Sequence, residues 1–453
     1  MLDLEHMKIT DFIKQLFTCE CGQQHSVDMD SIKISSGAIN ELPDVIESLG
    51  YKKVFIVADG NTFKAAGGKV IDCLTQKGIP YVSYILSGET IVPDEKALGG
   101  LMMAFDRSCD LIIAVGSGTI NDICRFFSSA IGLKYFMVAT APSMDGFVSG
   151  VAAMITNNLK TTYNAQVAQA FIGDLDILAD APMDTIVAGV GDILGKYTCL
   201  CDWKLSSLIN NEYYCKTIVE MVILAVKRVV ASKDKLLARD KKAIEGLTEA
   251  LLLSGIAMSY AGNSRPASGC EHHLSHFWEM RFLFEGKKAV LHGTKVGIGT
   301  IAALKVYEYI KSLEMDFEKI NEVWKPLSEE TWKEEMKQKF KIAADEIILL
   351  EEKTKKNDKG KRDARIAVIE KRWPEIYEAI NELPSAKEVE KLIADLKGAT
   401  YPAQVGIDPD IVEESILYAK EIRDRYTVLQ LLWDLGVQNA AAKQVTEDIC
   451  STC

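Results

Sequence analysis

Four of the chain's six histidines fall between residues 272 and 292, in Glu271-His272-His273-Leu274-Ser275-His276 and, after a break around Gly286, in Leu291-His292-Gly293-Thr294-Lys295. Neutral imidazoles gathered with a carboxylate are what a catalytic divalent ion takes as ligands. On a helix His272 and His276 stand one turn apart on one face, and His292 can return from the next helix. The same spacing suits an ordinary cluster of imidazoles at a core edge, so it permits a metal without requiring one. Upstream, Gly189-Val190-Gly191-Asp192-Ile193-Leu194-Gly195-Lys196 sets an acid among apolar residues one turn before a lysine. Asp192 can cap a helix there or pair with Lys196. With two imidazoles it would instead complete a three-ligand catalytic set that leaves a position open to a substrate oxygen.

A second group of residues has nucleotide chemistry. Residues 111–122 read as a buried strand running into Gly116-Ser117-Gly118-Thr119-Ile120 and a helix start, a form that lets backbone amides approach a pyrophosphate. The third glycine of the common dinucleotide fingerprint is absent, and the turn follows a late strand. Asp59, in Asp59-Gly60-Asn61-Thr62, closes an earlier strand. A carboxylate there can meet ribose hydroxyls and disfavour a 2′-phosphate, or it can simply cap the next helix. Thr140-Ala141-Pro142-Ser143-Met144-Asp145 follows another strand with small and hydroxyl residues that can bond a nucleotide, or that a plain loop explains, and it presents a carboxylate at Asp145. Cys19-Glu20-Cys21-Gly22-Gln23-Gln24-His25 brings two thiols and an imidazole together. It lacks a second ligand pair at zinc-finger distance, so it reads as a hairpin and turn rather than a metal site.

These residues need an α/β frame to position them. Residues 53–59, 81–86, 111–115 and 136–139 read as buried strands, and 61–77, 94–107 and 120–131 have helical length and periodicity. That series gives a mainly parallel sheet with ligands beyond the carboxyl ends of its strands. Beyond Pro182 the strand signals stop, and 192–210, 212–231, 241–262, 269–283 and 293–312 read as successive helices. The expected division is an α/β dinucleotide-binding domain over 1–182 and an all-α domain over 183–453. Within the latter, 315–397 is dense in charge. Its basic tract 353–362 breaks the helical pattern without interleaved aromatics and reads as a solvated connector.

Composition narrows the class. A chain of 453 residues is long enough for about two domains, and 48% hydrophobic with 26% charged residues is ordinary for a globular enzyme. A net charge of −12 argues against nucleic acid as partner. Eleven cysteines, an odd number scattered through apolar segments, suggest reduced thiols and a cytoplasmic setting. No apolar stretch is long enough for a membrane span, and residues 1–18 lack an uninterrupted secretory core.

Together, GSGTINDICR, TAPSMDGFVSG, GDILGKY, SGCEHHLSHFWEM and LHGTKVGIGT resemble the sn-glycerol-1-phosphate dehydrogenase family, within the wider superfamily of iron-containing alcohol dehydrogenases, glycerol dehydrogenases and dehydroquinate synthases. The likeness covers about residues 31–307. It implies a dehydroquinate synthase-like fold with Asp192, His272 and His292 as metal ligands, and catalytic and substrate contacts at Asp145, Asp192 and His276. It implies cofactor contacts at Asp59, at Gly116, Ser117, Gly118, Thr119 and Ile120, at Thr140, Ala141, Pro142 and Ser143, and at Ser149. His273 falls outside the ligand set. The implied reaction is a metal-dependent, NAD(P)-linked interconversion of sn-glycerol 1-phosphate and dihydroxyacetone phosphate. NAD stands ahead of NADP because of Asp59, Zn²⁺ stands ahead of Ni²⁺ and Fe²⁺, and the assembly is a homodimer. Lys196 and Lys295 are candidate cations for the phosphate. The rival on the same scaffold is a glycerol or other polyol dehydrogenase, distinguished by whether the substrate must carry phosphate. A cyclising lyase of the dehydroquinate synthase type would use metal and NAD without net cofactor turnover.

Overall fold

The computed structural model describes residues 8–14, 17–88, 90–156 and 159–450. The chain forms two compact units, one of residues 1–193 with 217–264, the other of 194–216 with 265–453. Residues 217–264, helical in pattern, thus cluster with the α/β part.

In the first unit β1 (Phe17–Thr18) and β2 (Gln24–His25) form a short antiparallel hairpin. The strands β3 (Ser31–Ser35), β4 (Val54–Asp59), β5 (Tyr81–Leu86), β6 (Leu111–Gly116) and β7 (Lys134–Ala139) enter one sheet. After a second hairpin, β8 (Val151–Thr156) with β9 (Leu159–Asn164), the strand β10 (Ala170–Asp174) returns to it. The sheet order is β3-β10-β7-β6-β4-β5, and every pairing is parallel. Its central strands are runs of Val, Ile, Leu and Phe because both faces are covered, which leaves no polar alternation. Four strands lie where the apolar runs place them. The second hairpin and β10 were not expected; the five residues of β10 are wholly buried, yet their run is broken by Gly173.

The helices that carry site residues are α1 (Gly118–Ile131), α2 (Met183–Leu194), α3 (Lys196–Asn210), α4 (Lys241–Ala261), α5 (Cys270–Glu285), α6 (His292–Ser312) and α7 (Lys359–Asn381). The expected helix over 192–210 is two helices parted at Gly195. In the second unit α5 packs on α6 and α3, and α7 on α3. The basic tract corrects its own reading: residues 355–358 do break the helices, but Arg362 is buried. Its Nε donates to the Asp434 carbonyl at 2.9 Å and its guanidinium covers the Trp324 ring at 4.5 Å, so the tract, exposed over residues 358–361, ends in a fastening at Arg362. Among the described residues no helix is long and apolar enough to cross a membrane.

Candidate active site

Strand order assembles the nucleotide candidates. Because β4, β6 and β7 are successive neighbours, Asp59, Gly116 and Ala139 end three adjacent strands at one edge of the sheet. Ligands of open α/β sheets bind at such an edge. Thr140 donates its N–H to the Gly116 carbonyl at 2.8 Å, Ser117 Oγ lies 2.6 Å from Ser143 Oγ, and it donates to the Ala141 carbonyl at 3.3 Å. Residues 116–120 and 140–143 therefore make one continuous rim. Gly116 is demanded by packing, since a Cβ there would stand 2.6 Å from Ile120 Cβ. At Gly118 a Cβ would meet only Met144, at 3.5 Å, which leaves the first turn of α1 approachable by a phosphate. Asp59 is a helix cap: Oδ1 accepts the N–H groups of Asn61 at 2.8 Å and Thr62 at 2.9 Å, and Thr62 Oγ1 takes the Asp59 N–H in return. A ribose contact would have to be added to that cap.

The loop after β7 is clamped from below by residues that sequence reasoning passed over. Arg125, buried on α1, donates to Asp122 at 2.9 Å, to the Val151 carbonyl at 2.9 Å, to Tyr135 Oη at 3.1 Å and to the carbonyls of Gly146 and Phe147. Asn121 Nδ2 donates to the same Gly146 carbonyl at 3.1 Å. The signal was present: two polar side chains one turn apart on the inward face of an otherwise apolar helix. Ser149, also buried, exchanges hydrogen bonds with the backbone of Val151 at 3.2 Å.

Asp145 and Asp192 are brought together. The Asp145 N–H donates to Asp192 Oδ2 at 2.9 Å, and Asp145 Oδ2 accepts from Ser254 Oγ on α4 at 2.8 Å. Asp192 lies near the end of α2, so the capping reading does not hold. The close approach depends on Gly189, where a Cβ would stand 2.0 Å from the Pro142 carbonyl oxygen. Gly189→Ala should therefore cost about 1–3 kcal/mol, the usual penalty of overpacking, because the obstructing atom is backbone. Urea unfolding measures this; an unchanged midpoint would mean that α2 moves off the loop at no cost.

In the second unit α5 and α6 carry the imidazoles. The ring centres of His272 and His292 are 5.2 Å apart, and His276 stands 6.1 Å from the first and 6.0 Å from the second. His272 and His292 each offer a nitrogen within 4.8 Å of the other. His272 Nδ1 meets Glu271 Oε1 at 2.7 Å, which assigns the proton to Nδ1 and leaves Nε2 for a metal. Glu271 is wholly buried and accepts from Thr198 Oγ1 at 2.6 Å and the Gly269 N–H at 2.7 Å. Burial alone pushes its carboxyl up, but the His272 contact with those donors holds it below the ordinary carboxylate value. Asp202 anchors the start of α5, accepting from Cys270 N at 2.7 Å, Val428 N at 2.6 Å and Tyr307 Oη at 2.6 Å. Burial, then the charge of Glu271, pushes its own carboxyl up to about 7.

His276 Nδ1 faces Glu279 Oε2 at 3.5 Å, and Glu279 Oε1 takes the buried Lys295 Nζ at 3.3 Å. Lys196, fully buried, donates to the Ala267 carbonyl at 3.0 Å. Both expected phosphate cations are thus already engaged. His273 takes no part in this relay: it is buried with neither ring nitrogen hydrogen-bonded. Burial, then the positive charges of Arg425, Arg423 and Lys356, holds its imidazole neutral, well below the usual value.

That positive field is the feature least visible in sequence. Burial lowers the Arg423 guanidinium, and burial followed by the charges of Arg265 and Arg423 pushes Arg425 down to about 10. Arg425 Nη1 donates to the Ser268 carbonyl at 3.3 Å, beside the N-terminal end of α5, which adds its own positive dipole. The turn carrying both arginines is held by the charged segment. Arg365 binds Asp434 at 2.8 and 2.6 Å, Tyr426 Oη donates to the same carboxylate at 2.9 Å, and Arg265 donates to the Tyr426 carbonyl at 2.9 Å.

The model of the iron-containing alcohol dehydrogenase family matches residues 33–182. Over 418 residues the chain is 34% identical to a glycerol-1-phosphate dehydrogenase (NAD(P)+) of Halalkalibacterium halodurans, a match covering 91% of this chain and 95% of that one. A protein of the same name from Geobacillus thermodenitrificans is 35% identical over 418 residues with the same shares. Matches of that extent run into the charged segment, beyond the motifs. The fold is that of a probable glycerol dehydrogenase from Sinorhizobium meliloti, with a TM-score of 0.63 over 94% of this chain and 98% of that one, at 14% identity.

Proposed function

The chain belongs to the iron-containing alcohol dehydrogenases, among the glycerol-1-phosphate dehydrogenases, and on that premise we propose that it interconverts sn-glycerol 1-phosphate and dihydroxyacetone phosphate with NAD(P) and one divalent metal. The observation that carries the reading is the buried Glu271–His272 pair beside His292, a carboxylate-oriented imidazole of the kind that metal sites use. We assign His272, His292 and Asp192 as the ligands; two imidazoles and one carboxylate suit Zn²⁺ first and accept Ni²⁺ or Fe²⁺. When bound, the ion supplies Lewis acidity at the C2–O group.

The chain's own residues do the rest. The rim of residues 116–120 and 140–143 takes the pyrophosphate and ribose, with Ser149 beside it. Asp145, fixed by Ser254, orients a glycerol hydroxyl. His276, backed by Glu279, holds the proton that moves to or from the C2 oxygen. Arg423 and Arg425 join Lys196 and Lys295 as candidate cations for the substrate phosphate, since Arg425 Nη1 meets the Ser268 carbonyl beside the N-terminal end of α5, where an anion is favoured. The reducing, cytoplasmic setting in this reading rests on eleven cysteines, an odd number scattered through apolar segments. The homodimer implied by the resemblance is tested by light scattering.

The test is oxidation of NADH by dihydroxyacetone phosphate, abolished by a chelator and restored by a divalent ion. Turnover of glycerol with NAD, and none with the phosphorylated ketone, would make the chain a polyol dehydrogenase instead. Cofactor choice has its own test. Asp59→Ser keeps a capping side chain but removes the charge that repels a 2′-phosphate. The ratio of kcat/KM for NADPH over NADH should rise, by a modest factor because the site is partly screened. An unchanged ratio would leave Asp59 as a cap only.

A further inference from the structure

The hairpin of β1 and β2 closes on a set of metal-ligand side chains that the dehydrogenase reaction does not use. Gly22, at φ +82°, turns the chain so that its N–H reaches the Cys19 carbonyl at 2.9 Å, and the Cys19 N–H reaches the Gln23 carbonyl at 3.0 Å. Cys19, Cys21 and His25 thereby offer ligand atoms within 4.8 Å of one another, with Cys21 Sγ 3.4 Å from His25 Nε2. His25 is completely buried and its Nδ1 lies 2.9 Å from the Tyr260 carbonyl. A carbonyl only accepts, so Nδ1 carries the proton and Nε2 presents its lone pair to the thiols. The ring is fixed by stacking on Tyr260 at 5.4 Å. Cys19 Sγ also touches Thr217 Oγ1 at 3.4 Å. The buried Cys215 precedes Thr217 by two residues, so the covalent chain keeps its Cα within about 7.6 Å of that of the threonine that Cys19 touches, near enough to supply a fourth ligand.

We propose that Cys19, Cys21, His25 and Cys215 bind one structural zinc ion, distinct in every ligand from the dehydrogenase centre. Three thiolates and one imidazole form a closed tetrahedral set with no position for substrate. Zn–S bonds of about 2.3 Å put ligand atoms roughly 3.5–4 Å apart, close to the 3.4 Å between Cys21 Sγ and His25 Nε2 and within the 4.8 Å that encloses the ligand atoms of Cys19, Cys21 and His25. On binding, the thiol protons go to solvent. The ion would join the hairpin to the segment entering the helix Lys216–Ala231, while the hairpin's hold on the end of α4 is the hydrogen bond from His25 to the Tyr260 carbonyl. The sequence motif alone looks incomplete because its fourth ligand lies far along the chain.

Zinc-edge X-ray absorption of the full chain, produced with zinc in the medium, decides the matter. The dehydrogenase ligands contain no sulfur, so a sulfur shell at about 2.3 Å can come only from a thiolate site. One zinc per chain with sulfur ligands should remain in His292→Ala and be lost from Cys19→Ser/Cys21→Ser, which should also unfold at a lower temperature. Zinc with only nitrogen and oxygen ligands in the wild type, or a sulfur shell that survives the double substitution, would overturn the proposal. The wild-type spectrum gives that answer even if the double variant fails to fold, and it is independent of whether the chain turns over glycerol 1-phosphate.

Discussion

His292→Ala is expected to lose one divalent ion per chain and all but a trace of turnover while keeping its fold. His292 opens α6 and is only half-buried, so removal of its ring opens no sealed core cavity. The helix is capped by backbone at Leu291 and is packed through residues such as Val296 and Ile301, which the substitution leaves alone. Changes to groups that merely orient a ligand weaken a metal by about 10- to 100-fold, and loss of the ligand itself should exceed that. Glu271→Gln should show the smaller effect, because the amide still meets His272 but holds its proton less firmly. Metal analysis with circular dichroism separates the outcomes. A folded His292→Ala protein with full metal content and normal turnover would remove the residue from the ligand set.

The chemistry of this chain is legible in its sequence wherever a short segment is sufficient to create it. The buried runs of β4 to β7 announce themselves by β-branched residues, and the rim follows once strand ends are known to be adjacent. The pairing of His272 with His276 follows from helical period alone. What escaped is what depends on residues distant in sequence. β10 is inserted between β3 and β7 by tertiary pairing, and nothing local marks it as a strand. Gly189 looks like a helix weakener until the Pro142 carbonyl is found against it. Arg125 and Asn121 carry no motif of their own, and only the fold shows that they hold the carbonyls of Gly146, Phe147 and Val151. The basic tract reads as solvated because local composition cannot reveal that Arg362 is covered by Trp324 and that Arg365, just beyond the tract, is tied to Asp434. Asp59 shows the converse: the plain capping geometry, visible in the sequence, is what the structure contains.

The largest kinetic effect should come from the substrate's phosphate, and it should vanish with two arginines. Dihydroxyacetone phosphate is expected to be reduced with a kcat/KM orders of magnitude above that of dihydroxyacetone, because a dianion held away from C2 contributes binding energy that orients the ketone. Lys295 is engaged by Glu279, Lys196 by the Ala267 carbonyl and Arg425 by the Ser268 carbonyl, but Arg423 and Arg425 also repel one another, a charge that an arriving anion offsets. A cluster whose members repel one another gains most when an anion arrives. Each charge-assisted hydrogen bond is worth about 1.5–3 kcal/mol, so Arg423→Met and Arg425→Met should each cost about 10- to 100-fold with the phosphorylated ketone. Neither should much change the low rate with dihydroxyacetone, because no phosphate is there to lose. The comparison needs progress curves of NADH absorbance at saturating metal with each of the two ketones for each of the three proteins. If the two ketones are equally efficient in the wild type, the phosphate reading fails and the polyol dehydrogenase takes its place. If the preference exists but survives both substitutions, the phosphate belongs to Lys196 and Lys295, and their present partners must be exchanged when substrate binds.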